Sequence, residues 1–245
     1  MEVTKMKVEI WSDYVCPFCY IGKRKFEAGL QQFAHKEEIE VVYKSFELAP
    51  DAPVDGNPGV YDMLASKYGM SREQAIANTN NITQQAKELG LDYYFDRTIQ
   101  TNTFDAHRLS HFAESKGKLK EMTERLLKAH FTDTLHLGDH NTLADLAAEV
   151  GLDRAEALNI LQSGEFSNEV RADEQEAGQL GVRGVPFFVI NRKYAVSGAQ
   201  ASETFLDALQ KAWDEEHPFT VLGDPDVDLC TDGSCIVPGQ DKSSS

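Results

Sequence analysis

Two cysteines separated by two residues stand between a short apolar strand and a helical pattern, and this arrangement constrains the fold more than any other part of the sequence. Residues 7–11 alternate polar and apolar side chains, as a half-buried strand does. The sequence Cys-Pro-Phe-Cys follows at positions 16–19, and proline is favoured in the first turn of a helix. Apolar residues then recur at helical spacing, at Phe26, Leu30 and Phe33. The pattern predicts that a strand delivers Cys16 to the N-terminus of a helix.

This placement predicts different chemistry for the two cysteines. The helix dipole and the unpaired N–H groups at a helix N-terminus favour a thiolate over a thiol, and the thiolate is the nucleophile in disulfide exchange. We therefore expect Cys16 to be an exposed nucleophile. Cys19 lies almost one turn further into the helix on the same side, where it would resolve the mixed disulfide that Cys16 forms.

Half of a zinc site is the alternative interpretation of the same spacing. A structural zinc site needs a second pair of ligands. The nearest candidates are His107 with His111, in a helical stretch, and His136 with His140, in a polar loop. The sequence does not decide whether these histidines lie close to the two cysteines in the folded protein. The interpretation that we favour is a dithiol site with no metal and no cofactor.

A later segment supplies the second half of the predicted sheet. Residues 181–190 end in an apolar, β-branched and aromatic run, which is typical of a buried strand that begins at Pro186. Residues 193–197 are predicted to form another short strand, and Gly198 a turn. A closing helix is predicted from Ser202. Its apolar positions are Phe205, Leu209 and Trp213.

Several separated motifs, in the same order, resemble the FrnE-like disulfide oxidoreductases of the DsbA family, within the thioredoxin superfamily. The longest is Trp-Ser-Asp-Tyr-Val-Cys-Pro-Phe-Cys-Tyr-Ile-Gly at positions 11–22. The others are Phe46-Glu47-Leu48, Asn102-Thr103, Ala106-His107-Arg108-Leu109 and Gly184-Val185-Pro186-Phe187-Phe188. The likeness extends from about Val8 to Trp213.

The resemblance implies an α/β protein with a thioredoxin-like fold and a large all-helical insertion. It implies that Val185–Pro186 is a cis peptide facing the dithiol, so that Pro186 belongs with Cys16 and Cys19 in the catalytic site. The backbone beside Pro186 would pair with an extended peptide, and Val185, Pro17 and Phe18 would contact substrate. The alternative is an ordinary trans proline at the start of a strand, since cis X–Pro bonds are a minority, about 5 to 6% in folded proteins.

The helical insertion is also predicted from the residues themselves. Residues 50–59 are a loop by composition, and residues of about 59–181 show helical patterning. Helix starts are expected near Ser71, Thr142 and Asp153, each with an acidic or amide residue three positions later. The expected divisions are 1–50 and 182–218 for the two parts of the thioredoxin-like domain, 51–181 for the insertion and 219–245 for a tail.

Three polar positions have both a structural and a functional interpretation. Asn102 and Thr103 are preferred N-caps, so a helix start is favoured over contact with the redox site. Glu47 follows a predicted strand and would be able to relay protons to Cys19, but most acidic residues are solvated, and it is a weak candidate.

Composition excludes several classes of partner. The chain of 245 residues has 24 Lys and Arg against 40 Asp and Glu, a net charge of −16, which does not suit nucleic acid or an anionic membrane. The N-terminus shows no secretory signal, and no apolar run is long enough for a membrane helix. We therefore expect a cytoplasmic protein, in a compartment where a thiol pair is more typical of redox chemistry than of cross-linking.

A second cysteine pair, Cys230 and Cys235, lies in the tail around a turn sequence. Some FrnE-like relatives carry such a pair, and the resemblance implies an electron relay to the main dithiol. Two alternatives stay open: the tail cysteines are incidental, or the four thiols of the chain gather a soft metal.

Three functions are compatible with the sequence. We favour a thiol–disulfide oxidoreductase or isomerase whose partners are protein thiols and disulfides, with glutathione or a thioredoxin-type reductant as electron donor. The alternative is a glutathione-dependent isomerase or a kappa-class-like glutathione transferase, families of the same fold that typically carry serine at the position of Cys16. A metal-binding or chaperone module ranks last.

Overall fold

A four-stranded sheet positions the cysteine motif, which follows the end of one of its strands. The computed structural model describes residues 5–55 and 59–218, and the backbone of residues 230–231 and 234–235. The strands are β1 (Met6–Ser12), β2 (Ile39–Ser45), β3 (Phe187–Ile190) and β4 (Tyr194–Ser197), in the order β2-β1-β3-β4. Strands β1 and β2 are parallel, whereas β3 is antiparallel to both β1 and β4. The motif follows the end of β1, an inner strand.

Two helices cover one face of the sheet. They are α1 (Pro17–Gln32) and α9 (Ser202–Glu216). Phe188 of β3 packs against Phe26 and Phe205, with ring centroids 5.5 Å and 4.6 Å apart. Gly29 lets α1 approach α9 closely, because a Cβ atom there would lie 2.5 Å from the main-chain oxygen of Ser202. This packing fixes the axis of α1, and with it the position of the cysteines.

A third layer lies on the opposite face, where α8 (Ser167–Gln179) packs against β1 and β2. The Trp11 indole N–H donates to the main-chain oxygen of Asp173 at 2.9 Å, and the Lys44 ammonium lies 2.8 Å from the Asp173 carboxylate. The molecule is therefore an α/β/α sandwich. The predicted α/β class is confirmed.

The helical insertion joins β2 to β3. Its helices before α8 are α2 (Val60–Tyr68), α3 (Arg72–Glu88), α4 (Phe104–Ser115), α5 (Leu119–Phe131), α6 (His140–Glu149) and α7 (Arg154–Gln162). They enclose a core that includes Leu109, Phe112 and Met122 and continues into Tyr14 and Tyr20 beside the cysteine motif. The insertion therefore packs directly on the predicted redox site. Its expected limits, 51–181, stay a prediction.

The expectation of nearly continuous helix from 59 to 181 is wrong between α3 and α4. A single 3-10 turn, Phe95–Arg97, interrupts an otherwise irregular segment there. Gly90 has a φ of +74°, a left-handed conformation that glycine adopts without steric cost and that ends α3. The segment that follows places Tyr93 and Phe95 in the insertion core.

Two of the three predicted helix starts are confirmed. Ser71 and Gln74 form a reciprocal capping box at α3, and Asp153 accepts a hydrogen bond from the Glu156 N–H at α7. The start expected at Thr142 is wrong, because α6 is capped by Asp139. The Asp139 carboxylate accepts from the Thr142 N–H at 2.7 Å, so the helix begins at His140.

The tail contributes two short strands, β5 (Cys230–Thr231) and β6 (Ser234–Cys235). They are antiparallel, and Cys230 stands opposite Cys235 in the backbone register. The rest of residues 219–245 lies outside the described residues, and so does the predicted relay to the main dithiol. In the described parts of the chain, no helix combines the length and the apolar character needed to cross a membrane.

Candidate redox site

Cys16 is the N-cap of α1, and Pro17 is its first helical residue, as the sequence predicts. The Cys16 N–H donates to the Asp13 oxygen at 3.2 Å, and the Cys16 oxygen accepts from the Cys19 N–H at 3.0 Å. The first turn of α1 contains no acidic residue. The positive end of the helix dipole therefore lies beside Cys16 without an opposing carboxylate in that turn, an arrangement that stabilises a thiolate.

Both cysteines are free thiols, and both are buried. The exposed fraction is 4% for Cys16 and 2% for Cys19, so the expectation of an exposed Cys16 is wrong. The loop that precedes β3 and the helices of the insertion cover the motif, and neither covering segment is near it in sequence. Cys16 instead lines a cavity between α1 and the insertion.

The loop before β3 contacts Cys16 directly. The Cys16 thiol donates a hydrogen bond to the main-chain oxygen of Val185 at 3.5 Å, across 169 positions of sequence. The Val185–Pro186 peptide bond is cis, which confirms that expectation. Among the described residues, no group accepts from the Val185 main-chain N–H. The loop therefore presents free backbone hydrogen-bonding capacity next to Cys16.

Cys19 lies deeper, in a different electrostatic environment. Burial raises the pKa of its thiol well above the usual value, and the neighbouring Cys16 raises it further. The Asp13 main-chain N–H donates to Cys19 Sγ at 3.4 Å. Cys19 is therefore held as a thiol until a base removes its proton, which is the asymmetry expected of a resolving cysteine.

A cavity of about 430 Å³ opens beside Cys16 between α1 and the insertion. Pro17, Phe18 and Val185, the predicted substrate contacts, all line it. Phe18 is 40% exposed and Tyr68 61% exposed at this cavity. The rest of its wall is mostly apolar and includes Leu48, Val60, Met63, Leu64, Met70, Ile82 and Phe131. Exposed apolar surface of this kind marks a binding site for apolar groups.

Glu47 and Asn102 belong to a cluster that holds the start of α4. The Glu47 side chain is fully buried rather than solvated. It accepts from Asn102 Nδ2 at 3.0 Å and lies 2.6 Å from Arg171 Nη1, and burial raises its pKa. Asn102 Oδ1 accepts from the Phe104 N–H at 2.8 Å, which confirms the helix-start interpretation, whereas Thr103 makes no side-chain cap.

The four histidines considered as zinc ligands each lie beside another polar group of the protein. His107 Nε2 lies 3.5 Å from Asp13 Oδ1, and His140 Nε2 lies 2.7 Å from a carboxylate oxygen of Asp105. His136 contacts the main-chain oxygen of Val54, and His111 lies 3.1 Å from the Asp173 carboxylate. Within residues 5–55 and 59–218, no three His, Cys, Asp or Glu side chains gather in a way that would hold a metal ion.

Sequence reasoning missed two buried groups near the dithiol. Asp13 is fully buried and binds Cys19 through its main-chain N–H. His130 of α5 lines the cavity that Cys16 opens on, and burial lowers its pKa to about 4. Asp13 lies within the quoted motif, but nothing in its spacing indicates burial, and His130 has no local signal.

Comparison with known proteins identifies the family. The profile of the DSBA-like thioredoxin domain matches residues 7–210, which is most of the chain. The chain belongs to the DSBA-like thioredoxin domain family. This membership agrees with the sheet order, the cysteine motif at the start of α1 and the cis-proline loop. At this coarser level, the predicted resemblance to DsbA proteins is confirmed.

Three known proteins are similar to this chain in sequence, in fold or in both. The uncharacterized protein YwbO of Bacillus subtilis is 30% identical over 82% of this chain and 94% of its own length. The crystal structure of the probable DsbA oxidoreductase SCO1869 of Streptomyces coelicolor has 44% identity and a TM-score of 0.83, and covers 96% of this chain and all of its own. A 2-hydroxychromene-2-carboxylate isomerase structure is similar in fold alone, with 14% identity, a TM-score of 0.68 and coverage of 88% and 100%.

Proposed function

We propose that this protein is a thiol–disulfide oxidoreductase that acts on protein disulfides through Cys16 and Cys19. The observation that carries the proposal is the position of Cys16, at the N-terminus of α1, 3.5 Å from the Val185 oxygen and on the wall of a cavity. Similarity to the probable DsbA oxidoreductase of Streptomyces coelicolor, at 44% identity, supports it. The isomerase function predicted alongside it is part of the same proposal.

Each residue has a defined role in the proposed reaction. The Cys16 thiolate attacks one sulfur of a substrate disulfide; a mixed disulfide forms at Cys16, and the other substrate sulfur leaves as a thiolate. Cys19 then loses its proton and attacks Cys16 Sγ. The Cys16–Cys19 disulfide forms, the second substrate sulfur leaves, and two electrons have passed to the substrate. The reverse sequence oxidises a substrate dithiol.

Recognition of the substrate is proposed to combine backbone pairing with apolar contact. An extended peptide would accept a hydrogen bond from the Val185 N–H, as a strand added to a sheet edge does. Apolar side chains of the peptide would enter the cavity beside Phe18 and Tyr68. Met63 and Met70 line the same wall, and methionine adapts to differently shaped partners. The substrate class is therefore unfolded or extended segments with apolar residues near a cysteine.

The electron donor is proposed to be glutathione or a thioredoxin-type protein, in the cytoplasm, where such donors keep thiols reduced. Cys230 and Cys235 are proposed to relay electrons to the main pair. The opposed register of these two residues in β5 and β6 supports their pairing with each other. The division into a thioredoxin-like domain, 1–50 with 182–218, and an insertion, 51–181, is part of the same proposal.

Trapping of the mixed disulfide tests the proposal. Cys19→Ser should accumulate a covalent adduct with a scrambled disulfide substrate, because Cys16 attacks but nothing resolves. Cys16→Ser should form no adduct, and the double variant is the matched control for non-specific capture. Mass spectrometry of the non-reduced protein assigns the linkage. An adduct at Cys19 in Cys16→Ser, or none in Cys19→Ser, contradicts the assignment.

The same assay addresses the alternative of a glutathione-dependent isomerase or transferase. An enzyme of that kind binds glutathione without oxidising it, whereas a vicinal dithiol exchanges with glutathione disulfide. Binding of reduced glutathione without any covalent adduct in wild type or Cys19→Ser, together with no turnover of protein disulfides, would favour the alternative.

A further inference from the structure

A buried acid and a buried histidine meet beside the resolving cysteine. Asp13 connects β1 to α1 and has no exposed surface, and His107 of α4 is 2% exposed. Asp13 Oδ1 lies 3.5 Å from His107 Nε2. The backbone of Asp13 is bonded to Cys19, since its N–H donates to Cys19 Sγ at 3.4 Å. Through the main chain of Asp13, the pair is therefore linked to the sulfur that must lose a proton during resolution.

The two facing atoms of the pair are unsatisfied. Neither Asp13 Oδ1 nor His107 Nε2 has a hydrogen-bond partner among the described residues, although the other Asp13 oxygen accepts from the Leu48 N–H at 2.8 Å. A buried polar atom without a partner costs about 1–3 kcal/mol, so such atoms are rare in native proteins. A proton placed between the two atoms would join them in a hydrogen bond and remove that cost.

Other titratable groups face this pair from each element packed around it. They are Cys16 and Cys19 of α1, Tyr14 beside Asp13, Tyr43 and Lys44 of β2, Glu47 after β2, His111 of α4 and His130 of α5. Burial raises the pKa of Tyr14 to about 12 and lowers that of His130 to about 4. Tyr14 therefore stays a neutral phenol, which does not take up a further proton, and His130 is a weaker base than an ordinary histidine.

We propose that the Asp13–His107 pair accepts the proton that Cys19 loses when it attacks the mixed disulfide at Cys16. This inference rests on the proposed function and assigns a role to two residues outside both the Cys-Pro-Phe-Cys sequence and the cis-proline loop.

The step balances without another reactant. The Cys19 S–H bond breaks, and its proton passes to the pair, where it lies between Asp13 Oδ1 and His107 Nε2. The Cys19 thiolate forms the S–S bond with Cys16, and the substrate sulfur leaves with the electron pair of the broken disulfide. The thiol of a buried resolving cysteine needs such a base, because water does not reach it.

A route for the proton to leave adjoins the pair. A cavity of about 10 Å³ lies against Ser12, Tyr14, His107 and His111, and this volume accommodates about one water molecule. The side chain of His111 is 11% exposed and lies 3.4 Å from the carboxylate of Glu114 at the surface. A single water would therefore connect His107 with a group in contact with solvent.

The test is the pH profile of the resolving step. Purified full-length protein is mixed with a peptide disulfide, and the reaction is quenched with acid. Mass spectrometry then measures the amount of mixed disulfide. Asp13→Asn keeps the main-chain N–H to Cys19 and an oxygen for Leu48. We expect Asp13→Asn to slow the resolving step on the order of 100-fold at neutral pH, which is the size of a general-base contribution. The midpoint of the pH dependence of the resolving rate should also move to higher pH. His107→Asn should do the same.

Controls separate proton transfer from a structural effect. The rate of mixed-disulfide formation, measured in the Cys19→Ser background, should be unchanged by Asp13→Asn. Because the two residues act as a unit, the double variant should be no slower than the slower single variant. Ser110→Ala removes a hydrogen bond to Tyr14 at the same interface and should keep the wild-type pH profile.

Two results would overturn the inference. One is an unchanged pH profile of resolution in both single variants. The other is an equal slowing of the first and second steps, which indicates a distorted site. A wild-type protein that forms no mixed disulfide would instead refute the proposed function, so the two failures are distinguishable.

Discussion

Gly22 and Pro186 are in contact across the interface between α1 and the loop before β3. A Cβ atom built on Gly22 would lie 2.9 Å from Pro186 Cγ and 3.5 Å from Ala199. Gly22 is one turn beyond the cysteines in α1, so a glycine there lets the proline loop approach Cys16.

Gly22→Ala should weaken the fold and the reaction together. The added methyl group overlaps the buried proline ring, and relief of such overpacking typically costs about 1–3 kcal/mol. Displacement of the ring should also move Val185 away from Cys16 and slow formation of the mixed disulfide. Denaturant unfolding and single-turnover trapping measure the two effects.

Gly178→Ala is the matched control. Gly178 lies in α8 with nothing within 4 Å of its added Cβ. Alanine is the better helix former by about 1 kcal/mol, so this variant should be slightly more stable and fully active. Equal behaviour of the two variants would contradict the role given to the Gly22 contact.

Tyr68→Ser should raise the KM for a protein disulfide by about tenfold, since loss of an apolar contact of this size corresponds to 1–2 kcal/mol of binding. The rate with glutathione disulfide, which is strongly polar and carries no large apolar side chain to place against Tyr68, should not change. Tyr94→Ser is the control, because Tyr94 is 40% exposed but does not line the cavity beside Cys16. A similar loss with both substrates would argue against an apolar peptide site.

The parts of this site that depend on neighbouring residues are predictable from the sequence, whereas the parts that depend on contacts between distant segments are not. Cys16 as an N-cap and Pro17 as the first helical residue follow from local chemistry, and the structure agrees with both. The burial of Cys16 was not predictable, because Val185 and the insertion that cover it lie far along the chain. The Asp13–His107 contact likewise joins segments whose local patterns indicate only a loop and a helix.

The stability of the protein should fall between pH 6.5 and pH 9 because of His111. Burial opposes its charge, but hydrogen bonds to Asp173 and Glu114 outweigh burial and raise its pKa from 6.5 to about 9. A raised folded-state pKa contributes stability that is complete below pH 6.5 and is lost as the pH rises through 9. The full shift corresponds to about 3 kcal/mol, and solvent screening of the partly exposed ion pairs reduces the loss to about 2 kcal/mol.

His111→Asn should lower stability at pH 6.5 and flatten its dependence over that window, as measured by urea unfolding at fixed ionic strength. His35→Asn, which removes an exposed histidine on another element, should keep the wild-type slope. A variant at His111 with an unchanged slope would show that another group is responsible.

The double variant Cys230→Ser, Cys235→Ser tests the proposed relay. If the tail pair passes electrons to the main dithiol, the variant should recover its reduced active site more slowly with a thioredoxin-type reductant, while mixed-disulfide formation at Cys16 is unchanged. Alkylation followed by mass measurement over time reports both. Recovery at the wild-type rate would remove the relay and leave Cys16 and Cys19 as the redox pair.

The order of strands in the sheet also has a consequence for synthesis on the ribosome. Strand β1 ends at Ser12, but the partner on its second edge, β3, begins only at Phe187. At about 5–20 residues per second, translation takes roughly ten to thirty seconds to supply that partner. During this interval the nascent chain presents an unpaired strand edge, a template for aggregation, beside a thiol that Val185 does not yet cover. We expect the emerging chain to need protection from both hazards before the finished protein can act on the disulfides of others.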